Sequence, residues 1–222
     1  MMGVYTLVFS VLWRVITIEH YPLFVLSGLA VWAFFQAAVQ SGTGSLYLNA
    51  PLITKVRFPR EVIPVAAVLA QVVSLAVMFA ILVPANLVVI PETWKTMALA
   101  VPMLSALLCL ALGLAWILAT ANVFFRDVEH FVAILFLPWF FLTPVLYSLE
   151  QLPGAAEHPW LIEILRYGNP VTPYVEGIRG AVFQGAVAGP ALLAYIFVVG
   201  PAVAFAGLWL FQRYEDRFAV EL

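Results

Sequence analysis

Five uninterrupted stretches of this 222-residue chain, residues 22–45, 62–90, 97–121, 131–147 and 190–211, contain no Asp, Glu, Lys, Arg or His. Crossing about 30 Å of hydrocarbon takes about 20 mostly apolar residues in a helix that rises 1.5 Å per residue. The fourth stretch is the shortest, at 17 residues. Hydrocarbon offers no hydrogen-bond partners, so each segment must satisfy its own backbone as a helix. Only 10% of the chain is charged and 64% is hydrophobic, against about 25% and about 45–50% in a soluble domain. The expected class is an all-α integral membrane protein.

A sixth apolar run, GVYTLVFSVLWRVITI at residues 3–18, is shorter and carries Arg14. No basic region precedes it and no small-residue cleavage site follows, which argues against a signal peptide. It reads as the second half of a span, with a longer natural chain expected upstream of Met1. The expected architecture is a single transmembrane domain over residues 1–222 with six transmembrane helices, the first of them truncated.

Orientation follows from Lys and Arg in short loops. With the N-terminus inside, residues 46–61, residues 122–130 and the tail beyond residue 211 hold six of the ten cations: Lys55, Arg57, Arg60, Arg126, Arg213 and Arg217. The outer segments hold Lys95, Arg166 and Arg179. The bias favours cytoplasmic N- and C-termini.

The missing residues exclude several functions. An ionisable group within a span is the usual mark of a proton or ion relay, and the five stretches have none. That disfavours a proton- or sodium-coupled carrier, although half-helix backbone sites can bind ions. The two lysines follow Thr54 and Trp94, so no Gly-Lys dipeptide exists to build a phosphate-cradling loop. His20, His130 and His158 lack partners at metal-ligand spacing. One cysteine, Cys109, allows no internal disulfide. A net charge of -2 gives no reason to expect a nucleic acid partner. No catalytic, metal or cofactor set is expected.

Two polar segments remain. Residues 148–189 contain WLIEILRY and PYVEGIRGAVF, each long enough for two or three helical turns, separated by the breaker Gly168-Asn169-Pro170. They form either a surface pair lying in the interface or a re-entrant pair between the fifth and sixth spans, sheltered at the mouth of a path. In the second piece Glu176 and Arg179 are i, i+3 neighbours. Aromatic residues make up 14% of the chain; a headgroup belt explains most of them. Trp32, Phe35, Trp139, Phe140, Tyr147 and Tyr174 are the candidates for a wall on which sugars stack.

The other segment is TKVRFPREVIP, residues 54–64, which gathers three of ten cations within six residues. Asn49 suits an N-cap and Pro51 a first turn, so residues 50–57 are expected to form a short helix that ends before Pro59. On it Leu52 and Val56 share a face flanked by Lys55 and Arg57. Such cations either fix topology and contact anionic lipid, at about 1 kcal/mol each, or border a docking surface.

Five segments in order, YPLFVLSGLAVWAFFQAAV, NAPLITKVRFPREVIPVAAVL, NVFFRDVEHFV, WFFLTPVLYSLEQLP and NPVTPYVEGIRGAVFQG, together cover nearly the whole chain. They resemble the permease subunits of ATP-binding-cassette exporters of the type-2 fold, in the branch that exports polysaccharides such as O-antigen, capsule and teichoic acid. The resemblance implies a permease of the bacterial inner membrane that moves a lipid-linked glycan. It also implies a homodimer with the path at its interface, where symmetric association is isologous. A separate dimer of ATPase subunits would hold ATP and Mg. It assigns docking of that ATPase to Leu52, Lys55, Val56, Arg57, Phe58, Arg60 and Glu61, with Arg126 and Asp127 as a secondary contact. Family members usually begin with an amphipathic helix and a complete first span, neither of which is expected to be present in full here. A type-2 permease for drugs or lipids, and a non-transporting membrane scaffold, are the alternatives.

Overall fold

The computed structural model describes residues 18–55, 58–151 and 159–221. Among the described residues every element is helical: α1 (Tyr21–Leu48), α2 (Ala50–Lys55), α3 (Val62–Val89), α4 (Ala100–Phe124), α5 (Val128–Leu142), α6 (Pro159–Tyr167), α7 (Thr172–Arg179) and α8 (Pro190–Glu221). Short 3-10 turns at Pro91–Lys95, Met97–Leu99 and Leu149–Gln151, and a π turn at Gly180–Gln184, join them. The all-helical membrane class expected from the charge-free runs is borne out.

Among the described residues four segments are long and apolar enough to cross a membrane: Tyr21–Leu48, Val62–Val89, Met97–Phe124 and Pro190–Phe218, of 28 or 29 residues each. Residues 131–147 were expected to supply another, but α5 has only 15 residues. At 1.5 Å per residue it spans about 22 Å, short of the hydrocarbon thickness. Its end has a local cause. Pro144 disfavours helical dihedrals at Thr143, and the chain turns there, with the Val145 amide donating to the Thr143 carbonyl at 2.7 Å. The run at residues 3–17 lies outside the described residues.

Burial distinguishes the spans. In the most apolar part of α1, 61% of residues are buried, against 17% in α3 and in α8. Val73, Val77 and Ile81 on α3 and Phe205 and Trp209 on α8 are exposed; hydrocarbon is the solvent that accommodates such a surface.

Contacts divide the chain into two compact units. The first comprises residues 1–33, 76–104 and 139–196, and the second residues 34–75, 105–138 and 197–222. In the second unit Leu46, Ile53, Ile63, Trp116, Ala119, Val123, Phe211 and Phe218 form one core cluster. Phe218 meets Phe211 edge to face, with centroids 5.1 Å apart. Small residues permit close helix approach: a Cβ on Gly42 would overlap the Ala115 methyl. In the first unit Gly177 leaves room for Met103 and Ile196. The buried Tyr174 hydroxyl donates to the Ile196 carbonyl at 2.9 Å, which satisfies a polar group that hydrocarbon could not.

Candidate functional site

The described residues among those expected to couple the chain to an ATPase, Leu52, Lys55, Phe58, Arg60, Glu61, Arg126 and Asp127, belong to the second unit. Asn49 stands immediately before α2, the place expected of an N-cap. Its Nδ2 donates back to the Ser45 carbonyl at 2.8 Å, finishing the last turn of α1, while its own carbonyl accepts the Leu52 and Ile53 amides at 2.9 and 3.2 Å. On α2 the buried Ile53 packs into the core cluster, Leu52 is half exposed at 50%, and Lys55 is exposed. Val56 and Arg57 lie outside the described residues.

Beyond that point the loop is pinned. Phe58 packs against the core cluster, and Arg60 donates a hydrogen bond to the Glu215 carbonyl of α8. The Trp116 indole of α4 donates to the Glu61 carbonyl at 3.3 Å. The turn between α4 and α5 is held as firmly. Asn122 donates to the Thr43 carbonyl of α1 at 3.3 Å and accepts the Glu129 amide at 3.1 Å. One buried carboxamide thereby joins three helices. Asp127 is exposed. Arg126 lies over the Tyr47 ring, 5.8 Å from its centroid, a contact of about 0.5–1 kcal/mol at an exposed site.

The first unit contains residues 139–196. Trp32, Trp139 and Phe140 come together there, Trp32 meeting the other two edge to face at 6.1 and 5.7 Å. The Trp139 indole donates to Asn169 Oδ1 at 2.9 Å, and Asn169 Nδ2 donates to Thr143 Oγ1 at 2.9 Å. The Asn169 side chain also accepts the Val171 amide at 3.1 Å. The Gly-Asn-Pro breaker is thus a bonded corner between α6 and α7. The Tyr147 hydroxyl donates to the Phe141 carbonyl at 3.1 Å. Tyr174 is fully buried. Phe35 falls in the second unit, against Phe136 at 6.0 Å.

Two arginines here carry roles that sequence reading missed. Glu176 pairs with Arg166 of α6 rather than with its helical neighbour Arg179, through hydrogen bonds of 2.7 and 3.3 Å. Burial works against the Arg166 charge, but the Glu176 hydrogen bond and charge outweigh it, and the pKa stands above its ordinary value. Arg179 is 3% exposed. Its two terminal nitrogens donate to the Pro144 and Val145 carbonyls, each at 2.8 Å, and its guanidinium lies 3.8 Å from the Phe24 ring centroid. Gly28 makes this fit possible, because a Cβ there would overlap Arg179 Nη2. A cavity of about 270 Å³ opens beside these groups, lined by Phe24, Glu150, Arg166, Glu176, Arg179 and Gln184 among others.

Several apolar helices long enough to cross a membrane define a multi-pass membrane protein. The chain belongs to the ABC-2 type transporter family, whose model matches residues 1–183. It is 29% identical over 223 residues to the O-antigen export system permease protein RfbA of Myxococcus xanthus, covering 98% of this chain and 82% of that protein. It is 26% identical over 217 residues to a protein of the same name from Klebsiella pneumoniae, covering 97% and 81%. Membership of this family implies that ATP hydrolysis belongs to a separate subunit.

Proposed function

We propose that this chain is the permease subunit of an exporter that moves a lipid-linked polysaccharide of O-antigen type across the bacterial inner membrane. The observation that carries this reading is similarity along 98% of the chain to a permease named for that export. Two permeases pair with the glycan path at their interface, and two ATPase subunits bind ATP and Mg and supply the work. Both termini are cytoplasmic, residues 46–61 face the ATPase, and residues 148–189 lie on the far side. The short α5 is the fifth of six spans, its length met by local thinning of the bilayer, with α6 and α7 as a re-entrant pair.

In this mechanism Leu52 and Lys55 on the exposed edge of α2, with Val56 and Arg57, seat in a groove of the ATPase, and Arg126 and Asp127 touch it secondarily. Closure of the ATPase pushes α2. Ile53 and Phe58 carry the push into the core cluster, while Arg60 and Glu61 carry it to α8 and α4 through the backbone groups they bond. Of the aromatic groups expected to line a path for sugars, Trp139, Phe140 and Tyr147 keep exposed surface, whereas Trp32, Phe35 and Tyr174 are buried and serve packing. Stacking on such rings tolerates many sugars, which suits a repeating polymer.

The test is ATP hydrolysis and flux by the purified permease–ATPase complex in proteoliposomes. Stimulation by a lipid-linked glycan, with glycan delivered to the opposite face, is expected. Stimulation by drugs or phospholipids alone selects the drug or lipid permease reading. ATPase binding with neither stimulation nor flux selects the scaffold.

A further inference from the structure

We propose that the cavity beside Arg179 is a binding site for a phosphate group carried on a lipid or glycolipid head. Arg179 is buried, yet among the described residues no carboxylate lies within ion-pair distance of it, since Glu176 is engaged by Arg166. Its bonds go to two neutral carbonyls, and its Nε is buried with no hydrogen-bond partner. Glu176 lines the same cavity and acts on Arg179 only through space while bonded to Arg166, and a buried cation with no carboxylate in direct contact is costly. An apolar side chain of similar length would fill the same space without that cost. An anion that enters the cavity supplies the direct partner that Arg179 lacks.

The rest of the lining favours phosphate. Val187, Ala188 and Gly189 border the cavity, and their backbone amides have no acceptor among the described residues. They lead into the first turn of α8, where Leu192 also lines the space. The chain from Val187 to Gly189 thus offers the cavity backbone donors that the fold leaves unused. Arginine is the side chain best shaped for phosphate oxygens. The Ser148 hydroxyl and the Gln184 amide add neutral hydrogen-bonding groups for hydroxyls next to the phosphate. Glu150 is 82% exposed at the side chain and is screened by solvent. The site does not depend on the export reading, because an anionic phospholipid would satisfy the same groups.

The purified complex with its ATPase, in an uncharged maltoside detergent, is titrated with farnesyl-phosphate-linked glucose, an uncharged farnesyl glucoside, dihexanoyl phosphatidylglycerol and inorganic phosphate. Phosphate-bearing amphiphiles are expected to bind about tenfold or more tightly than the glucoside, and Arg179→Gln to abolish that preference. Because Arg179→Gln removes structural bonds, Gly189→Phe is the second variant. A Cβ at Gly189 meets no atom within 4 Å, so the ring has room in which to block the cavity. Binding of the phosphate-linked glucose alone assigns the site to the exported molecule, and binding of phosphatidylglycerol alone assigns it to bilayer lipid. Equal affinity for the uncharged glucoside overturns the proposal. So does phosphate binding that Gly189→Phe leaves unchanged.

Discussion

Gly113 of α4 and Gly207 of α8 meet backbone to backbone: a Cβ built on Gly207 would overlap the Gly113 carbonyl group, and one built on Gly113 would overlap the backbone at Val203 and Ala204. No flexible side chain stands there to yield. Gly113→Val and Gly207→Val must therefore push two spans apart, at about 1–3 kcal/mol each. Thermal unfolding in detergent is expected to show both variants well below the parent. Gly189→Ala, where a Cβ meets open space, is expected to stay within about 0.5 kcal/mol.

A second prediction concerns the bidentate pair between Arg166 and Glu176. Their side chains are 22% and 19% exposed, so the pair is screened less than a surface bridge. A double-mutant cycle with Arg166→Ala and Glu176→Ala is expected to give about 1–2 kcal/mol of coupling. The Arg166 pKa is raised in the fold. For a base whose folded value exceeds the unfolded one, the stabilisation is fully present below the unfolded pKa and is lost only as pH rises through the folded value. The Arg166 contribution should therefore stay flat between about pH 6 and about pH 9. A fall across that range, measured by chemical unfolding, would contradict this assignment.

Asn122→Ala removes a buried carboxamide that donates to Thr43 and accepts from Glu129. Two backbone groups lose a partner together, at about 2 kcal/mol. Hydrogen exchange at the Glu129 amide is expected to accelerate, while exchange in the first unit stays as it was. Equal acceleration in both units would mean that Asn122 supports the whole fold rather than this turn.

The spans were legible because charge-free runs of that length leave the backbone only one economical way to cross hydrocarbon. The shortening of α5 was legible only in part, since Pro144 is visible but the turn that follows Thr143 depends on tertiary bonds. Residue spacing offered Arg179 as a neighbour of Glu176. It could not show that Arg166, ten positions before Glu176, folds back to take that carboxylate. Nor could it show that Arg179 turns inward against Phe24 and Gly28, because a charged residue in a polar segment is expected to be solvated. Gly113 and Gly207 stand in apolar runs where many small residues look alike, and only the packing of α4 against α8 distinguishes them.

The last prediction separates docking from packing in the coupling loop. Leu52 is half exposed, whereas Phe58 packs on the core cluster that contains Ile53 and Phe211. Leu52→Asp should insert and unfold like the parent, because its side chain supports little of the core, yet recover about tenfold less ATPase on purification, as the loss of an apolar anchor in an interface does. Phe58→Ala should lower stability by about 1–3 kcal/mol through the space it leaves. It should retain ATPase in proportion to the folded fraction, but transmit closure poorly, so that hydrolysis continues while export falls. If Leu52→Asp retains its ATPase and only membrane orientation changes, the exposed edge of α2 is not a docking surface, and the cations around it serve topology alone.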